Sequence, residues 1–268
     1  MDTRSSILQV DVHVSSRLPL AIKHLNEPSS FSPVSCTLIH GANSAVLVDT
    51  PFSISQTEDV AAWIKTTAPE KDLCYLYITR GHGDHWLGTA TLRKLWPNLR
   101  ALATPGTIPA VGEMELAEAT SPSTFELEAH EFHVVEVGHM DTFNTTVLHV
   151  PSIRLVVEAD AIYGDASILA RPTRLPKGRS GCAHSIRLRH WTHRLVAGHK
   201  RAGAADGLIN LHKTRQYILD FEDAVAKASN WKEVAEDVTE MSSTIWETKT
   251  SPGPAPQFCY ARSGLLGF

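Results

Sequence analysis

The sequence predicts an α+β fold in which two β-rich halves pack sheet against sheet with helices outside. Three observations predict it. Strand-like runs fill both halves of the chain. Helical spacing is confined to short stretches between them. No short repeat is present, which argues against a solenoid. At 268 residues the chain has room for one large domain or two small ones, and 43% hydrophobic residues suffice for a sizeable core. The reading adopted is one domain over residues 1–250 and a short, loosely ordered tail over 251–268, where Ser251-Pro252-Gly253-Pro254-Ala255-Pro256 stands.

The elements follow in order. Leu8 to Val14 alternates as a half-buried strand does. Cys36 to His40, a turn at Gly41-Ala42-Asn43, and Ala45 to Asp49 read as a hairpin. Thr57 to Thr67 is spaced as a helix, with Val60, Ala61 and Ile64 on one face. Leu73 to Ile78 is an apolar strand. Gly88 to Trp96 is a helix closed by Pro97, and Ala101 to Thr104 is a short strand. Ile108 to Ala119 is predicted helical. Strands follow at Phe132 to Val137, Thr145 to Val150, Ile153 to Val157 and Leu195 to Ala197.

Charge and cysteines exclude several classes. A formal charge of −4 and a pI near 6.4 argue against a general nucleic-acid binder. One stretch runs against that balance: from Ala166 to Ala205 there is no acidic residue, while Arg171, Arg174, Lys177 and further basic residues fall there. It reads as a solvated basic loop, because no aromatic residue interleaves it before Trp191. No apolar run reaches the length of a membrane span, and the N-terminus leads into an alternating segment and not a signal-peptide core. A soluble cytoplasmic protein is expected. Cys36, Cys74, Cys182 and Cys259 form no CxxC pair and read as reduced thiols.

The chemistry gathers at strand ends. Between the strand Leu73–Ile78 and the helix after Gly88 lies Thr79-Arg80-Gly81-His82-Gly83-Asp84-His85-Trp86. His139 ends a second strand, Asp160 a third and His199 a fourth. Imidazole nitrogen and carboxylate oxygen are zinc ligands, and one zinc takes about four. Six such residues (His82, Asp84, His85, His139, Asp160 and His199) exceed the needs of one ion, so one or two ions are expected. The other histidines, such as His13, His40, His133 and His149, read as packed or surface residues.

These landmarks resemble the metallo-β-lactamase-fold superfamily. Its His-x-His-x-Asp-His signature corresponds to Arg80-Gly81-His82-Gly83-Asp84-His85. Gly138-His139 with Asp141, Asp160, Gly198-His199 and the upstream Asp49 match its later and earlier landmarks in order, over about Ser35 to Phe221. The resemblance implies a four-layer αββα sandwich with metal along one edge of the sheets. It assigns His82 and His139 to a first metal site, Asp84, His85 and His199 to a second, and Asp160 to a bridge. Asp49 and Asp141 are expected to orient ligands or loops, not to bind metal. Trp86 is expected as a pocket wall or core residue, and Tyr163 as core with a hydroxyl in reach of the cleft.

Arg80 departs from the signature, since it stands where a histidine is expected. Guanidinium stays protonated and has no lone pair to give a metal. It must turn away, or bind Asp160 or a substrate anion. The expected centre is therefore one tight ion at Asp84, His85, His199 and Asp160, with the first site weak. Zinc is the expected ion; these ligands do not discriminate against iron or manganese. The expected function is hydrolysis of an ester, thioester, lactone or lactam in a small molecule, with Asp84 as the catalytic proton carrier. The alternative is a catalytically impaired protein that binds a small acidic metabolite. A monomer without nucleic-acid or membrane partners is expected.

Overall fold

A strand that is apolar at successive positions is covered on both faces. Leu38-Ile39 and Ala45-Val46-Leu47-Val48 are such runs, and all six residues are buried. The computed structural model describes residues 7–20, 29–108, 117–119, 123–138, 140, 142–164, 193–230 and 233–234. The strands of the first half are β1 (Gln9–Val14), β2 (Leu18–Leu20), β3 (Ser29–Phe31), β4 (Ser35–His40), β5 (Ser44–Val48), β6 (Asp72–Tyr77), β7 (Arg100–Ala103) and β8 (Glu118–Ala119). Those of the second half are β9 (Thr124–Leu127), β10 (His130–Gly138), β11 (Thr145–Val150), β12 (Leu155–Val157), β13 (Tyr163–Gly164), β14 (Arg194–Val196) and β15 (His199–Lys200). Three helices matter here: α1 (Ile54–Thr67), α2 (Thr89–Leu95) and α3 (Leu208–Lys227).

Two mixed sheets result. The first has the order β1-β4-β5-β6-β7-β8, antiparallel through β5 and parallel beyond it. Parallel neighbours need a crossover, and α1 and α2 supply the first two. The second has the order β14-β12-β11-β10-β9, antiparallel except where β14 joins β12. Side chains along a strand alternate between faces. Ile39, Val46, Val48, Tyr77 and Leu102 of the first sheet therefore meet Phe132, Val134, Leu148, Val150 and Val157 of the second in one core. Their neighbours Leu38, Leu47 and Leu76 turn outward onto Val60, Ile64 and Leu92 of the first two helices. Val147, Val156 and Leu195 turn outward onto Tyr217, Ile218 and Phe221 of α3. Three cores separate four layers, as the αββα expectation requires. Each fully buried large apolar side chain contributes about 1.5–3 kcal/mol by leaving water.

Local chemistry explains the boundaries. α1 starts three residues before the predicted Thr57, because Ser53 and Gln56 form a reciprocal capping box. β12 starts at Leu155 and not at Ile153, because Pro151–Ile153 form a tight turn and Arg154 takes a left-handed φ of 52°. The predicted helix Ile108–Ala119 is corrected at its end, where Glu118 and Ala119 extend the first sheet beside Leu102 and Ala103; residues 109–116 lie outside the described residues. The sheets are also tied across their seam: Tyr77 Oη lies 2.6 Å from Thr146 Oγ1, and Thr146 N donates to the Thr79 carbonyl at 3.0 Å. Among the described residues no helix is long and apolar enough to cross a membrane. Cys36 is buried and Cys74 half-buried, and both are free thiols; Cys182 and Cys259 lie outside the described residues.

Candidate metal centre

The strand ends at one edge of the sandwich build the site. β5 stops at Asp49, which takes a left-handed φ of 61°, a conformation that aspartate tolerates better than most residues. Its carboxylate accepts from Thr79 N at 2.9 Å and from the Thr79 hydroxyl at 2.8 Å, pinning the end of the β6 segment to the end of β5. Beyond Thr79 the chain makes a tight turn over Gly83–His85, which puts Asp84 and His85 side by side, both buried. The Trp86 indole N–H donates to the Gly81 carbonyl at 3.1 Å and closes this loop. From the second sheet, the turn Ala159–Ala161 carries Asp160. Gly198 packs onto that turn so closely that a Cβ there would lie 2.3 Å from the Ala159 carbonyl carbon and 2.7 Å from Asp160 Oδ1. Only glycine leaves room for it. His199 follows directly.

Four polar atoms converge. His199 Nε2 lies 3.3 Å from both Asp84 Oδ2 and Asp160 Oδ1. His85 Nε2 lies 3.4 Å from Asp160 Oδ1 and 3.7 Å from Asp84 Oδ2. The partners of the other ring nitrogens decide which nitrogen is presented. His199 Nδ1 lies 2.8 Å from the Pro33 carbonyl, which can only accept, so Nδ1 carries the proton. His85 Nδ1 lies 2.8 Å from the Asp49 carboxylate and likewise donates. The Nε2 atoms of both rings are thus turned toward the two carboxylates.

The electrostatics follow from burial opposed by charge. Burial pushes the Asp84 carboxyl up, but His85 and His199 outweigh it and hold it below the usual carboxylate range. Burial opposes ionisation of Asp160 too, yet Arg80 and the two imidazoles hold it well below that range. Burial pushes the imidazoles down, while Asp49 and Asp84 raise His85, and Asp160 and Asp84 raise His199 to about 10. The carboxylates thus favour a positive charge at the Nε2 atoms, a proton or a metal ion in its place.

A divalent ion fits this donor set. Buried polar atoms normally have partners, yet neither His85 Nε2 nor Asp160 Oδ1 makes a hydrogen bond. Donors ~2.0–2.1 Å from one tetrahedral zinc stand about 3.3 Å from each other, close to the spacings observed here. Among the described residues, Asp84, His85 and His199 form a group of three donors within 4.8 Å of one another.

The expected ligands are not all brought together. Asp84, His85, Asp160 and His199 are. His82 stands aside, half-buried, with Nδ1 accepting from Arg80 Nη2 at 2.5 Å. His139 and Asp141 lie outside the described residues. Arg80 is 1% exposed and pairs with Asp160 Oδ2 at 2.7 Å. Trp86 packs on the core under α1 and α2. Tyr163 is buried as expected, but its hydroxyl also donates to Asp160 Oδ2 at 3.0 Å and its ring stacks on His199. The Pro33 carbonyl was not foreseen, since a backbone acceptor leaves no mark in a residue pattern. Of the basic stretch, Arg194, Lys200 and Arg201 are described; Arg194 and Lys200 pair with Asp206, and Arg201 is exposed.

No family model matches the sequence, and no curated protein does. Solved structures do match. A metallo-β-lactamase from Hirschia baltica superposes with a TM-score of 0.60 at 19% identity, covering 78% of this chain and 93% of that one. One from Pontibacter korlensis gives 0.61 at 16%, covering 80% and 100%. The mono-zinc form of the metallo-β-lactamase FIM-1 from Pseudomonas aeruginosa gives 0.59 at 16%, covering 81% and 98%. This chain has the metallo-β-lactamase fold. In that fold the converging cluster lies beyond the ends of β6, β12 and β14: Asp84 and His85 come from the first half, His199 from the second, and Asp160 Oδ1 stands 3.3–3.4 Å from both imidazoles.

Proposed function

We propose that the protein is a metal-dependent hydrolase of small molecules that uses a single divalent ion held by Asp84, His85, Asp160 and His199. The observation that carries this reading is the pair of buried atoms without hydrogen bonds, His85 Nε2 and Asp160 Oδ1, facing His199 Nε2 at 3.3–3.4 Å spacings. The mono-zinc form of FIM-1, a neighbour in fold, supports zinc and a single ion. When bound, such an ion supplies Lewis acidity for polarising a carbonyl and for acidifying water.

The chain's own residues do the rest. Asp49 and the Pro33 carbonyl fix the two imidazoles so that no reorientation is needed when substrate arrives. Asp84, 3.3 Å from His199 Nε2, is placed to hold the attacking water by a hydrogen bond and to pass its proton to the leaving group. Arg80 and Tyr163 occupy Asp160 Oδ2 and leave Oδ1 directed at the imidazoles. The substrate class that suits this chemistry is an ester, thioester, lactone or lactam. A catalytically impaired binder of an acidic metabolite would need Arg80 to reach the ligand, and its 1% exposure and its pairing with Asp160 speak against that.

The test is turnover of simple esters, lactones and β-lactams by zinc-loaded protein, with Asp84→Ala as control. Hydrolysis that falls at least about 10²-fold in the variant is expected, the usual contribution of a positioned proton carrier. Activity surviving the substitution overturns the reading.

A further inference from the structure

We propose that the Arg80 guanidinium takes the place of a second metal ion, so that the centre holds one exchangeable cation and one that is part of the chain. The proposal rests on the metal reading above and concerns what stands beside that ion.

Three observations carry it. Arg80 is the largest of the fully buried side chains among the described residues, and a buried cation needs a partner. It pairs with Asp160 Oδ2 at 2.7 Å from Nη1 and with His82 Nδ1 at 2.5 Å from Nη2. The second contact is chemically directional. Guanidinium has only donors and does not lose its proton in proteins. His82 Nδ1 must therefore accept, and the ring carries its proton on Nε2. The lone pair that would serve a metal is spent on arginine.

The first contact divides the Asp160 carboxylate. Arg80 and the Tyr163 hydroxyl hold Oδ2, while Oδ1 faces His85 and His199. A carboxylate shared by two cations is what a two-ion centre would contain; here a guanidinium is one of the two. A second dication bound between Asp160 and His82 would have to displace Arg80 from both. Arg80 is thus a positioning residue that acts through Asp160 and sets the stoichiometry of the centre at one ion.

The experiment is loading of the intact protein with cadmium-113, read by bound equivalents and by cadmium–nitrogen coupling to labelled imidazoles. The expected result is one equivalent, coupling at His85 and His199, none at His82, and a His82 ring protonated on Nε2. Arg80→His should raise the uptake to two equivalents. Two equivalents in the unmodified protein, or coupling at His82, overturns the proposal. So does an Arg80→His protein that folds and still binds one. If that variant does not fold, the His82 signals of the unmodified protein decide alone. Absence of coupling at His85 and His199 would instead overturn the metal reading itself, so the two failures are told apart.

Discussion

Asp49 Oδ2 accepts the Nδ1 proton of His85 at 2.8 Å, and this single bond turns His85 Nε2 toward Asp160. The same carboxylate holds Thr79 through its backbone N–H and its hydroxyl. One residue therefore sets both the imidazole and the strand end from which the loop departs. Asp49→Ala is expected to weaken zinc binding about 10–100-fold, as loss of a carboxylate behind a ligating histidine does. Competition with a chromophoric chelator measures it, and unchanged affinity would refute the orienting role.

Tyr163 approaches the same centre from the other sheet. Tyr163→Phe keeps the ring on His199 and removes one hydrogen bond to Asp160 Oδ2. The expected loss of stability is about 1 kcal/mol, with a smaller loss of zinc affinity than Asp49→Ala, because Arg80 still holds that oxygen. Denaturant unfolding and the chelator assay read the two effects separately.

Gly198→Ala tests the close approach of the two loops. The added methyl would meet Ala159 backbone atoms at 2.3 and 2.5 Å, so Asp160 and His199 must move apart. Overpacking of this kind costs about 1–3 kcal/mol. Zinc affinity should fall with it. A variant as stable and as tightly loaded as the parent would show that the turn has room to spare.

Glu128 provides the control at the opposite end of β5. Its carboxylate accepts from the backbone N–H groups of Ala42, Asn43 and Ser44 at 2.7–2.8 Å, fastening the β9–β10 turn to the β4–β5 turn. Glu128→Ala is expected to lower stability by about 1–2 kcal/mol and to leave zinc affinity unchanged. A change in zinc affinity would mean that the two ends of the sandwich are coupled.

Much of this was legible in the sequence, for identifiable reasons. A strand-end histidine or aspartate such as Asp160 or His199 follows an apolar run, so its place along the chain is visible even though its neighbours are not. The orienting part expected for Asp49 is what the family resemblance implies, and Asp49 Oδ2 does lie 2.8 Å from His85 Nδ1. α3 escaped notice although Leu211, Thr214, Ile218, Phe221 and Ala224 recur at helical spacing and are buried. Its charged residues dilute the apolar stripe, and the second sheet decides which face is buried. β9 escaped too, because Thr124-Phe125-Glu126-Leu127 is too short to declare itself without β10 beside it. Arg80 is readable as a missing ligand; its grip on both Asp160 and His82 depends on the fold, which brings the segment after β12 to the segment after β6.

The converging donors have a mechanical corollary. Asp84 and His85 belong to the segment leaving the six-stranded sheet, and Asp160 and His199 to segments leaving the five-stranded one. An ion gripped by all four is a rivet through the seam of the sandwich, joined there by the Ser35 N–H to Gly198 carbonyl bond at 2.7 Å. Prising the halves apart would then require shedding the ion first, so amide exchange along β4 and β14 should slow together when the rivet is set.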